Sequence, residues 1–122
     1  MARGPQDSWT TEWKLGVDTR LEEKIGSEIL EVFSAFWRDE SIGERSKSTR
    51  QRYEGALHAL GGHLVEKAIE REESSESGRE MLCFAVQDDE GPLIHVRNPS
   101  WQRELDTVCR RLNAYLQKSP YR

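Results

Sequence analysis

Residues 45–69 read RSKSTRQRYEGALHALGGHLVEKAI and join a basic cluster directly to an amphipathic helix. Apolar side chains recur there every three or four residues, the spacing that places them on one face of a helix. Ser46 or Ser48 is suited to the N-cap position of this helix. Gly61 also falls on the apolar face, which favours a close helix crossing at that point. Its neighbour Gly62 lies off the face, and the pattern offers no reason for it.

Two further amphipathic helices are predicted, one before residues 45–69 and one after a short apolar run. The first begins after Asp18 and the last runs from Pro99 to about residue 117, with Asn98 as its cap. The apolar run at residues 81–86 fits a buried strand or a buried helix. We predict a short helix, because two strands alone would form a marginal sheet. The predicted core consists of Ile25, Ile29, Val32, Phe33, Phe36, Tyr53, Leu57, Leu60, Leu64, Trp101, Leu105, Val108 and Leu112.

A chain of 122 residues has the size of one domain with one core. We predict an all-α, four-helix bundle-like domain over residues 18–118, with a flexible N-terminal arm over residues 1–17 and a tail over residues 119–122. Trp9 and Trp13 in the arm would gain stability by docking on the bundle. The stretch 70–79, rich in serine and acidic residues, is predicted to be a loop or a frayed helix end, and the most mobile internal segment.

Charge is distributed unevenly along the chain, although the formal net charge is only −4. Residues 66–90 contain nine acidic and three basic residues, whereas residues 97–122 contain six basic and two acidic ones. Basic clusters on helices are typical of proteins that contact phosphates. The acidic segment could instead offset the basic helix within the fold, and both interpretations stay open. Candidate nucleic-acid contacts are Arg45, Lys47, Arg52, Arg103, Arg110, Arg111 and Lys118.

Patterns that would indicate catalysis or metal binding are weak. His58 and His63 are five residues apart and would point too far apart on a helix to share one metal ion. His95 follows the acidic residues 88–90, but an ordinary histidine beside a solvated turn explains this grouping. The sequence has no nucleophile motif and no glycine-rich phosphate loop. We therefore expect no enzymatic activity, no metal ion and no cofactor.

The chain contains no apolar run near the roughly 20 residues that cross a bilayer. Its N-terminus lacks the apolar core of a secretory signal. Cys83 and Cys109 have no CxxC spacing, and we expect both to be reduced and structural. These features lead us to expect a cytoplasmic protein without membrane contact.

One pattern resembles a known family. A phenylalanine-rich helix end is followed, after a short turn, by Ser48, Thr49, Tyr53 and Leu57. This arrangement resembles the N-terminal core-binding domain, a SAM-like helical domain, of tyrosine recombinases and phage integrases. With the two later helices included, the resemblance spans residues 21–118.

The resemblance implies a helical module whose second and fourth helices help to grip DNA. Those are the two helices that carry the basic residues of this chain. The catalytic residues of the family belong to a second, larger domain, so the resemblance implies no strand cleavage by these 122 residues.

Two functions are therefore expected from the sequence. The first is a small non-enzymatic interaction module that binds DNA or RNA through the basic surfaces of the second and last predicted helices. The alternative is a protein-binding or self-associating helical domain with no nucleic-acid role. That alternative would use the wide apolar stripe of the first predicted helix, with Trp37 and the tryptophans of the arm exposed.

Overall fold

The structure is a computed structural model that describes residues 4–71 and 77–118. The described residues form five α-helices and a single 3-10 turn, and they include no strand. The helices are α1 (Ser8–Glu12), α2 (Thr19–Asp39), α3 (Lys47–Arg71), α4 (Gly78–Val86) and α5 (Pro99–Lys118), and the 3-10 turn is Ile42–Glu44. The predicted all-α fold is confirmed, as is the short helix at residues 81–86. The predicted tail and residues 72–76 of the stretch 70–79 lie outside the described residues. The rest of that stretch is not a loop: residues 70 and 71 end α3, and residues 77–79 form the cap and the beginning of α4.

Polar side chains define where the longer helices begin. Asp18, Ser46 and Asn98 each accept a hydrogen bond from the backbone N–H three residues further on, at 3.2, 3.3 and 3.1 Å. Such bonds satisfy N–H groups that have no partner inside the helix. Ser77 begins α4 through a reciprocal capping box with Glu80. The predicted caps at Asp18 and Asn98 are confirmed, and Ser46 is the serine that caps α3.

The core lies around α2, which packs against α1, α3 and α4, while α5 packs against α3 and α4. Every predicted core residue is buried except Trp101, whose surface is 58% exposed. Trp101 has the right spacing for the apolar stripe but lies in the first turn of α5. On α3, the cavity beside it is lined by Gly55 and Ala56, which are too small to cover an indole ring, and by the polar side chains of Gln51 and Arg52. The prediction that Trp101 belongs to the core is wrong for this reason.

The described part of the arm packs on the bundle through α1. Trp9 and Trp13 are each only 4% exposed, and the Trp13 indole N–H donates to the backbone oxygen of His58 at 3.0 Å. A side chain at Gly61 would overlap the Trp13 ring, and a Cβ atom at Gly62 would lie 3.2 Å from the same ring. The predicted docking of the tryptophans is confirmed. The close approach predicted at Gly61 is confirmed, and the nearest atoms belong to the ring of Trp13 and not to a second helix.

The apolar stripe of α2 is covered by the chain itself. Leu30 is 8% exposed, and Trp37 is half-buried where it contacts Gly4 of the arm and Gly43 of the 3-10 turn. The expectation that Trp37 and the arm tryptophans are exposed is therefore wrong. Most of this stripe is therefore part of the core.

A buried carboxylate holds the connection between α1 and α2. The side chain of Glu22 accepts backbone hydrogen bonds from Leu15, Gly16, Val17 and Asp18, at distances between 2.7 and 3.2 Å. These bonds, that from Asp18 most of all, lower the pKa of Glu22 from 4.5 to about 2, although burial acts in the opposite direction. Glu22 thereby fixes the whole connection between α1 and α2.

Candidate nucleic-acid interface

Four of the predicted basic residues line one groove between the beginning of α3 and the outer face of α5. We call this groove, with a volume of about 510 Å³, the arginine groove. Its basic lining residues are Arg45, Arg52, Arg103 and Arg111. The structure thus brings together the two basic groups that lie more than 50 positions apart in the sequence.

The 3-10 turn positions one wall of the arginine groove. Ile42 is fully buried and fixes the turn on the core, so that the chain leaves it in an extended conformation at Arg45. The guanidinium of Arg50 donates to the backbone oxygens of Gly43 and Arg45, at 3.3 and 3.1 Å. Arg50 therefore holds the Arg45 backbone in place and is not a free surface charge. Arg52 follows on the exposed side of α3.

The opposite wall of the arginine groove is one face of α5. Arg103 and Arg111 are eight residues apart, which is slightly more than two helical turns and leaves both side chains facing the groove. Thr107 lies between them, and its hydroxyl donates to the backbone oxygen of Arg103 at 2.9 Å. The regular helix therefore holds two guanidinium groups at a fixed spacing along the groove.

The floor of the groove is apolar, while hydroxyl groups line its sides. Tyr53 and Val108 are buried beneath it, at 5% and 2% exposure. Thr49, Ser100 and Thr107 contribute the hydroxyls. Neutral hydroxyls beside guanidinium groups are the side chains that contact phosphate oxygens in nucleic-acid complexes.

The positive charge of the groove is only slightly offset within the fold. Glu104 is the single carboxylate among the described residues that line it, and its oxygen lies 3.9 Å from Arg52 Nε. Both side chains of this pair are more than 40% exposed, and such pairs contribute only ~0–1 kcal/mol. Within the described part of the chain, Arg45, Arg103 and Arg111 form no ion pair. The acidic segment does not cover this face in the residues that the structure describes.

The other predicted contacts lie outside the arginine groove. Lys47 and Arg110 are exposed but do not line it. Lys118, near the end of α5, pairs with Glu40 at 3.4 Å. The structure therefore brings together four of the candidates and leaves these three apart.

A second, smaller cavity adjoins the arginine groove and shares Arg52 and Glu104 with it. It has a volume of about 260 Å³, and the exposed ring of Trp101 forms one side. The ring of His95 meets Trp101 edge-on, with centroids 5.5 Å apart. Sequence reasoning missed this site because the helical spacing of Trp101 assigned it to the core.

A larger depression of about 850 Å³ lies along α1 and α2. Its lining includes the carboxylates of Asp7, Glu23, Glu31 and Asp39, with one arginine, Arg38. The hydroxyl of Tyr115 donates to Asp39 and lowers the pKa of that carboxyl, so the charge there stays negative. The charged side chains of this depression are mostly acidic, whereas those of the arginine groove are mostly basic.

The structure places the three histidines in different surroundings. His58 contacts Glu12 at 2.6 Å and packs on Trp9, which places it in the docking of the arm. The pKa of His63 is lowered, chiefly by burial and also by the charge of Lys67. Among the described residues, no three side chains of metal-binding type lie close enough to hold an ion.

Cys83 and Cys109 are free thiols. Burial, with a smaller effect of Asp106, raises the pKa of Cys109 to about 12. Its thiol is therefore protonated at neutral pH and behaves as a small apolar side chain.

Comparison of the chain with protein-family models, curated proteins and solved structures finds no match. In the described ranges, none of the helices is both long enough and apolar enough to span a bilayer. The candidate interface therefore rests on the geometry of this molecule.

Proposed function

We propose that this protein is a small, non-enzymatic module that binds the phosphate backbone of DNA or RNA through the arginine groove. One observation carries the proposal: four guanidinium groups from two separate chain segments converge on one groove that contains a single carboxylate among its described lining residues. Guanidinium groups form strong, paired hydrogen bonds with phosphate oxygens. The hydroxyls of Thr49 and Ser100 add neutral groups along the same path.

The net charge of −4 is compatible with this role because the described lining of the arginine groove includes four arginines and one acidic residue. The depression along α1 and α2 contains carboxylates, whereas the arginine groove contains guanidinium groups. A ligand responds to the local potential within about a Debye length, roughly 8–10 Å in physiological salt. The resemblance to the core-binding domain supports the same proposal, since the basic residues lie on the corresponding helices.

The direct test is a titration of labelled oligonucleotides at several salt concentrations. If all four arginines contact phosphates, the logarithm of the binding constant should fall with the logarithm of salt, with a slope of about −3.6 for duplex DNA and about −2.8 for a single strand. Absence of binding to either at low salt would rule out the proposal.

A pair of double variants separates the arginine groove from general charge. Arg103→Glu with Arg111→Glu should reduce the salt slope by about two units, because two phosphate contacts are lost. Lys47→Glu with Arg110→Glu produces the same change in net charge outside the groove and should weaken binding far less. Equal losses in both double variants would show that the groove has no special role.

The second candidate function, protein binding or self-association, is favoured by a different surface. Phe84, Leu93 and Val96 are 62%, 69% and 71% exposed, and Phe84 shares a groove with Pro92. Light scattering over a wide concentration range tests this alternative. A mass of 14.1 kDa at all concentrations would remove self-association, whereas a concentration-dependent dimer that Phe84→Glu abolishes would support it.

We assign the module to the cytoplasm, because two free thiols suit a reducing compartment. The proposed contacts require only side chains of the chain itself and need no cofactor.

A further inference from the structure

The cavity beside Trp101 has the features of a stacking site. Trp101 is 58% exposed, the most exposed of the four tryptophans, and the ring of His95 lies nearly perpendicular to it, with the centroids 5.5 Å apart. Leaving a large aromatic face in water forgoes the stabilisation of burying it. Its side chain therefore presents an open aromatic surface beside the arginine groove.

The loop before α5 is held firmly, which fixes the site before any ligand arrives. The side-chain oxygen of Gln102 accepts the backbone N–H groups of Ile94 and His95, at 3.1 and 2.9 Å. The Gln102 amide nitrogen donates to the backbone oxygen of Pro92 at 3.0 Å and to the carboxylate of Asp106 at 3.1 Å. One glutamine thus fastens the loop that carries His95 to the helix that carries Trp101. A preformed site loses less conformational entropy on binding.

The lining of the cavity matches a flat, partly polar ring. Ala56 and Leu105 give it an apolar base, and the backbone beside Gly55 leaves open space. Gln51 contributes an amide that can pair with the edge of a ring. Because Arg52 and Glu104 line both cavities, a group in this cavity would be continuous with a phosphate in the arginine groove.

We infer that the Trp101 cavity receives one unpaired nucleobase and that the protein therefore prefers single-stranded nucleic acid to duplex. This inference rests on the proposed function of the arginine groove. A base inside a duplex is covered on both faces by its neighbours, so only an unpaired base can offer its face to Trp101. The arginines then hold the backbone while the cavity holds the base.

The test uses fluorescence anisotropy with three labelled ligands: a single strand, a hairpin duplex of the same base composition, and a single strand in which several central bases are removed. The wild-type protein should bind the intact single strand more tightly than the other two. Trp101→Leu should weaken binding of the intact strand about 5-fold to 100-fold, as loss of one stacked base does. It should leave binding of the base-depleted strand unchanged.

Two matched variants complete the design. Trp101→Phe keeps an aromatic face and should retain most of the affinity. Phe84→Leu removes another exposed aromatic ring, in a different groove, and should have no effect. Since Trp101 lies outside the core, its replacement removes little of the packing that holds the fold.

The outcomes separate this inference from the proposed function. If all three ligands bind equally, or if Trp101→Leu binds like wild type, the stacking site is refuted while the arginine groove stands. If no ligand binds to the wild-type protein at low salt, both are refuted.

Discussion

Two glycines on α3 should respond in opposite directions to the same substitution. Gly61 faces the ring of Trp13, and an added methyl group would overlap it. Gly55, on the same helix, has no atom within 4 Å of the position that a Cβ would take. Replacing either glycine by alanine favours the helix by about 1 kcal/mol. Only Gly61→Ala must also displace a buried side chain.

The magnitude follows from what holds Trp13. The ring is 4% exposed, and moving a large apolar side chain of this kind into water costs about 3 kcal/mol. Its indole N–H would also lose the hydrogen bond to the His58 backbone oxygen, worth about 1 kcal/mol. After the gain in helix propensity, Gly61→Ala should destabilise the protein by about 3 kcal/mol. Gly55→Ala should stabilise it by about 1 kcal/mol.

Urea denaturation measures both effects. The midpoint should fall by about 1 M or more for Gly61→Ala and rise for Gly55→Ala, for an ordinary m-value of about 1–3 kcal/mol/M. Tryptophan emission gives a second readout, because displacement of Trp13 shifts it to longer wavelength. If Gly61→Ala is as stable as the wild-type protein, the Trp13 ring does not pack against Gly61 as the structure shows.

Three further substitutions test local features of the fold. Glu22→Gln should reduce stability most above pH 4.5, where the wild-type carboxylate is fully charged, and the difference should shrink as the pH falls towards 2. Thermal unfolding at several pH values measures this difference. An equal loss of stability at every pH would contradict the prediction. Ser77→Ala should cost about 1 kcal/mol, because it removes the capping box of α4, and Ser8→Ala provides a control at a helix position without a cap. Tyr115→Phe removes the hydroxyl that donates to Asp39 and should raise the pKa of that carboxyl. An NMR titration measures this pKa. An unchanged pKa would mean that the hydrogen bond is absent in solution.

The spacing of apolar residues predicted the helices well, because most of these residues pack in the same core. The stripe of α3 predicted the burial of Tyr53, Leu57 and Leu64, and capping chemistry predicted the beginning of α5 at Pro99. Periodicity failed at Trp101 because burial also requires a neighbour large enough to cover the ring. The local sequence of α5 does not specify which residues of α3 lie beside Trp101.

Contacts between distant segments were beyond the reach of the sequence pattern. The pair of glycines in α3 was a signal that something approaches closely, but not that the partner is Trp13, 48 positions away. The basic residues were recognised as a group by charge alone. The turn at Ile42 and the rotation of α5 about its axis decide which of these residues converge. Neither feature can be predicted from the local sequence pattern.

NMR chemical-shift mapping is the most direct test of the claim that nucleic acid binds in the arginine groove. A protein of 14.1 kDa suits the method, and a short single-stranded oligonucleotide at low salt is the ligand. We expect the largest shift changes at the backbone amides of Arg52, Ser100, Arg103 and Thr107, with little change along the acidic depression on α2. Shift changes centred on Phe84 and Leu93, or spread evenly over the surface, would contradict the claim.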